Sequence, residues 1–151
     1  MTAIAGKTDE WENGLLLLLF NNTDFTLVGD AGGLRGSATA GSLYVSLHTA
    51  DPTEEAADQT ASEITYTSYA RVAKARSSSG WTVSGSSVIP NGAITFPAGT
   101  GGSGTASFFG VGTDSAGGSG KLLYAGAISP TIVCGAGVTP QLTTATTISE
   151  A

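Results

Sequence analysis

The 151-residue chain contains one histidine, one cysteine and twelve carboxylates, which limits the chemistry its side chains can perform. Any imidazole catalysis must use His48. Ser46 precedes it by two residues and Asp51 follows by three. In an extended segment Ser46 and His48 share a face, so hydroxyl and imidazole come within hydrogen-bonding reach. A hydrolytic triad also needs an orienting group that converges on the pair in space. The plainer reading is a strand-end histidine bonded to its own loop. Cys134 stands alone, which excludes an intrachain disulfide and a zinc pattern. Within Thr131-Ile132-Val133-Cys134 it reads as a buried, inert thiol. One His and one Cys disfavour a transition-metal site.

Other motifs fail on context. Asp51, Glu54, Glu55 and Asp58 crowd the polar loop Thr49–Ser62, but the EF-hand spacing with its central glycine is missing. That reads as an exposed acidic loop. Gly99-Thr100-Gly101-Gly102-Ser103-Gly104 matches GxGxxG, yet the β-branched and aromatic Thr105–Val111 follows where a dinucleotide site needs a helix. Gly120-Lys121 resembles the end of a phosphate loop, but Leu122 occupies the magnesium-binding Ser/Thr position. Paired carboxylates for sugar hydrolysis are disfavoured, because most acids lie in the N-terminal part and one loop. No catalytic, cofactor or metal residue is assigned, and the chain reads as non-enzymatic.

The elements that position these residues are mostly strands. Ser42–Pro52, SLYVSLHTADP, alternates Leu43, Val45 and Leu47 with Tyr44, Ser46 and His48, the period of a half-buried strand. Before it, Thr8 to about Phe20 reads as a helix capped by Thr8 or Asp9, with Asp9 and Glu12 at capping-box spacing. Trp11, Leu15, Leu18 and Leu19 form its expected apolar face. A strand over Phe25–Val28 and a Gly/Ala loop to Gly41 follow. Later strands are expected over Ile64–Ala75, Trp81–Val83, Ser87–Ile89, Ala93–Phe96, Thr105–Val111, Lys121–Ile128, Thr131–Cys134 and Gln141–Ile148. Asn91-Gly92 is a hairpin signal, and Trp81 a core anchor. Spacings near ten residues suggest an antiparallel sandwich or barrel.

The net charge of −6 is uneven. Residues 1–63 carry ten acids against Lys7 and Arg35, whereas Arg71, Lys74, Arg76 and Lys121 outnumber Asp114 and Glu150 in the rest. Without a basic cluster, nucleic-acid binding is disfavoured. Leu15–Phe20 is too short to span a bilayer and lacks the positive flank of a signal peptide. The expectation is synthesis in a cytoplasm and use without export or membrane.

Three phrases carry a resemblance: SLYVSLHTADP at 42–52, Tyr69-Ala70-Arg71-Val72-Ala73, and Trp81-Thr82-Val83-Ser84-Gly85. It continues through Ala93–Pro97, Phe109–Gly112 and Lys121–Gly126. Together they resemble a family of small tailed-bacteriophage virion proteins, often labelled tail fibre proteins, and similar small β-sandwich proteins decorate phage heads. The resemblance implies a virion structural protein. The fold expected is all-β, mainly an antiparallel β-sandwich of jelly-roll-like type with one short N-terminal helix. It divides into a helix and arm (1–41) and a sandwich domain (42–151). The first functional expectation is a capsid decoration (cement) protein on the capsid exterior, bound to the phage major capsid protein and to copies of itself, a trimer being one such assembly. The alternative is a tail-fibre or receptor-binding module that contacts host surface glycan through Gly/Ser loops and exposed aromatics such as Tyr66, Tyr69 or Phe108. Trp11 and Leu15 on the helix, and Arg71 with Lys74 toward an acidic partner, are the expected interface residues.

Overall fold

The computed structural model describes residues 1, 5–26, 28–29, 33–53 and 56–151. Its elements in order are α1 (Asp9–Asn21), β1 (Ser42–His48), β2 (Val72–Ala75), β3 (Trp81–Ser84), β4 (Ser87–Pro90), β5 (Ile94–Thr95), β6 (Ser103–Gly112), β7 (Leu122–Gly135), β8 (Gln141–Leu142) and β9 (Ile148–Ser149). The β1–β6, β6–β7, β3–β4, β4–β9 and β5–β8 pairs are antiparallel. The all-β class with a single short helix therefore holds among the described residues. Strands are distributed over sheets of four, β2-β1-β6-β7, three, β3-β4-β9, and two, β5-β8.

The chain divides into two units, Met1–Gly41 with Ala75–Gly92 and Thr144–Ala151, and Ser42–Lys74 with Ala93–Thr143. Two segments from the span 42–151, Ala75–Gly92 and Thr144–Ala151, group with the N-terminal residues. The reason is strand pairing: Val88 of β4 lies opposite Ile148 of β9, so the end of the chain completes the β3–β4 sheet. Gln141–Ile148 is consequently two short strands in different units.

In the first unit, Thr8 caps α1, its hydroxyl accepting from the Trp11 amide, and Asn22 ends it in the left-handed conformation at φ 54. The buried face differs from the expected one. Leu16 and Phe20 are fully buried, with Glu12 nearly so, while Trp11, Leu15, Leu18 and Leu19 are half-buried. A run of leucines has no polar break to set its phase, so the partner surface decides. That partner is Trp81, whose ring meets Phe20 edge-on at 4.9 Å. Trp81 is the expected core anchor, 1% exposed. The β3–β4 hairpin turns at Gly85-Ser86, with Ser84 opposite Ser87 and Gly85 at φ 57, the Gly-X pattern of a two-residue loop. Asn91-Gly92 joins no hairpin: β5 pairs with β8 instead. The Asn91 side chain is bonded to Thr82 and Ser78. Phe25 makes only an isolated bridge to Leu34, and Leu27 of the expected Phe25–Val28 strand lies outside the described residues.

α1 has no basic residue in its last turn, although carbonyls there are unpaired and carry the negative end of the helix dipole. Arg76 supplies the cation from a distant part of the sequence. Its Nε donates to Leu19 O at 2.7 Å, and its two terminal nitrogens reach Leu18 O at 2.9 Å and Ala40 O at 3.0 Å.

In the second unit the organising strand β1 runs beside β6, with Leu43, Val45, Leu47, Phe109 and Val111 in the core. The strand expected over Ile64–Ala75 is shorter. Ile64 and Tyr66 are buried as the alternation requires, but Ser68 at φ 80 breaks it, and pairing resumes only at Val72. Lys121–Ile128 and Thr131–Cys134, expected as two strands, are one strand β7. Its register against β6 slips where Ser107 faces residues 128–131, between the Ala106–Ile132 and Phe108–Ala127 pairs.

Candidate functional site

The functional groups of the second unit gather under β1. Ser46 and His48 are on one face of the strand, as period-2 geometry requires, and Ser46 Oγ lies 2.8 Å from His48 Nε2. His48 Nδ1 lies 2.7 Å from Ala61 O. A carbonyl only accepts, so Nδ1 carries the proton and Nε2 accepts the serine O–H. Gln59 Nε2 completes the chain, donating to Ser46 Oγ and Tyr44 O, both at 2.9 Å. Burial holds the His48 pKa below its ordinary value, only partly offset by the Ala61 bond and by Glu63. The imidazole is neutral.

A serine donating to a neutral imidazole is the ground state of a nucleophile–base pair. Access decides against that use. Ser46 and His48 are both 0% exposed, a backbone carbonyl stands where a triad has its carboxylate, and Asp51 instead accepts from the Thr53 amide. The lid is β6. A Cβ on Gly110 would come within 2.6 Å of His48 Nε2 and 2.8 Å of Ser46 Oγ, and one on Gly112 would collide with the Gln59 amide. The group is a sealed polar lock that ties the loop residues Gln59 and Ala61 to the sheet.

A second network lies beside it. Arg71 grips Glu63 with two bonds, Nε to Oε1 at 2.7 Å and a terminal nitrogen to Oε2 at 2.8 Å. The same guanidinium donates to Asp114 O and Gly117 O in the glycine-rich turn before β7. Tyr69 donates its phenol to Glu63 Oε1 at 2.9 Å and accepts from the Leu47 amide at 3.0 Å. Its burial raises the phenol pKa, and the bonds that Arg71 donates to Glu63 raise that of the guanidinium.

These placements bear on the expected interface residues. Arg71 is 9% exposed, and its acidic partner is Glu63 of the same chain. Lys74 is half-buried on β2, Trp11 lies 5.3 Å from the Phe25 ring, and Leu15 is half-buried on α1. Trp11 and Leu15 belong to one unit, Arg71 and Lys74 to the other. Gln59 and Glu63 escaped the sequence reading, while of the aromatics expected to meet a glycan Tyr66 is buried and Tyr69 is bonded to Glu63. Asp58 accepts from both the amide and hydroxyl of Thr60, while Glu54 and Glu55 of the acidic loop lie outside the described residues. Cys134 is buried, and burial raises its pKa. Among the described residues no cluster of potential metal ligands occurs, and no helix is long and apolar enough to cross a membrane. Asp51, Thr53, Ala56 and Leu122 to Ala125 line an open groove of about 420 Å³.

The described residues thus form a mainly antiparallel β protein whose serine–histidine pair is closed off from solvent. Residues 6–146 match the family described as podophage GP4 fiber I protein gp80, and the chain belongs to that family. No curated protein matches it. The coarse expectation of a phage structural protein thus holds. The family description favours the fibre alternative over capsid decoration.

Proposed function

We propose that the protein is a non-catalytic structural module of a podophage tail fibre. The single observation that carries this is the fibre-family match, which extends over residues 6–146 and so draws on both units. The sealing of Ser46 and His48 supports a structural role, because the one nucleophile–base pair is spent on holding a loop. The groove lined by Asp51, Thr53 and the start of β7 offers carboxylate and hydroxyl groups beside apolar side chains. Such a mixture suits a host sugar and supports contact with the host surface as the fibre's second role. Gold labelling of a C-terminal tag on intact virions tests the placement. Label at the tail is the expected result. Label scattered over the head would overturn it and restore capsid decoration.

A further inference from the structure

The chain's six bases and twelve acids are absent from Leu122 through Ser149. That stretch begins with β7, the outermost strand of the four-stranded sheet. Ala125, Ala127, Ser129, Pro130, Thr131 and Val133 of β7 are exposed, Val133 to 68%. Apart from the ladder to β6, no backbone bond from another segment reaches Ala125–Val133 among the described residues. The opposite edge, β2, is only four residues long and carries Lys74. Soluble proteins usually guard long edges with charges, above all lysine. Here the long edge is the uncharged one.

We propose that the outer flank of β7, from Ala127 to Val133, is the contact through which a second copy of this chain docks. The occupant follows from charge. Copies with a net charge of −6 repel through any acidic face, and they approach at least cost where neither carries charge. An edge bearing only alanine, hydroxyls, proline and valine satisfies that for both partners at once. The register slip opposite Ser107 and the missing N–H of Pro130 interrupt the ladder, so strand addition cannot run along the whole of β7. The contact therefore combines short stretches of backbone with side-chain packing around Val133. This inference rests on the fibre reading, since a fibre is built from repeated chains.

Sedimentation of the full chain over a range of concentrations, at low and high salt, tests it. The wild type should sediment as more than one chain at either salt level, because an uncharged contact is not screened. Ala127→Lys and Val133→Lys should each shift it to the mass of one chain while keeping the wild-type circular-dichroism spectrum, so that association is lost and the fold is not. Ala73→Lys on β2, the opposite edge, should leave it associated. A wild type that is monomeric at every concentration, or edge variants that associate like the wild type, would overturn the proposal. Gold at the tail together with edge variants that still associate would sink the β7 contact alone. Gold on the head would sink the fibre reading, whatever the sedimentation shows.

Discussion

Gly110 of β6 lies opposite Ser46 of β1, and the space its side chain would fill is taken by the Ser46–His48 hydrogen bond. A Cβ there would stand 2.6 Å from His48 Nε2, well inside van der Waals contact. The glycine and the buried pair are one packing unit, split between strands far apart in sequence.

Gly110→Ala should therefore destabilise the chain by about 2 kcal/mol, the cost typical of overpacking a tight core. A lowered urea midpoint with unchanged slope is the expected record. Stability equal to wild type would show that His48 moves aside freely.

The imidazole makes stability depend on pH. Its folded pKa lies below the ordinary 6.5, so the unfolded chain binds a proton first as pH falls. The stabilisation is complete above 6.5 and is lost as pH drops from there through the folded value. Urea midpoints should fall as the pH is lowered from neutral through 6.5, and His48→Gln should flatten that part of the profile while lowering its plateau. An equally steep profile in the variant would move the effect to another group.

Arg71 and Glu63 form a largely buried pair, their side chains 2% and 15% exposed. Breaking one side strands the other, so Arg71→Met and Glu63→Gln should each cost about 3 kcal/mol. The double variant should cost clearly less than the sum, because no unpaired charge is left. Additive losses in denaturation would show that the two groups act separately.

Arg76→Ala should remove the cation from the α1 carboxyl end at a cost of about 1 kcal/mol. Hydrogen exchange should quicken first in the last turn, Leu18–Asn21, with the β1–β6 ladder unchanged. Uniform acceleration through both units would contradict a local capping role.

The sequence by itself determined much of what is local. Thr8 and Asn22 bound α1 because a hydroxyl caps orphan amides and asparagine tolerates positive φ. The period-2 pattern of Ser42–His48 put Ser46 beside His48 before any fold was known. Tertiary structure decided what depends on partners distant in the chain. Which leucines of α1 are buried was settled by the β3–β4 hairpin against which the helix packs, and the destination of residues 144–151 by pairing with β4. Arg71 was turned inward by Glu63 and by the Asp114–Gly117 carbonyls. Periodicity reports which side of an element is apolar, but it is silent about which of several uncharged surfaces another element will cover. A buried charge likewise takes its role from the groups that surround it, and these came together only when the strands paired.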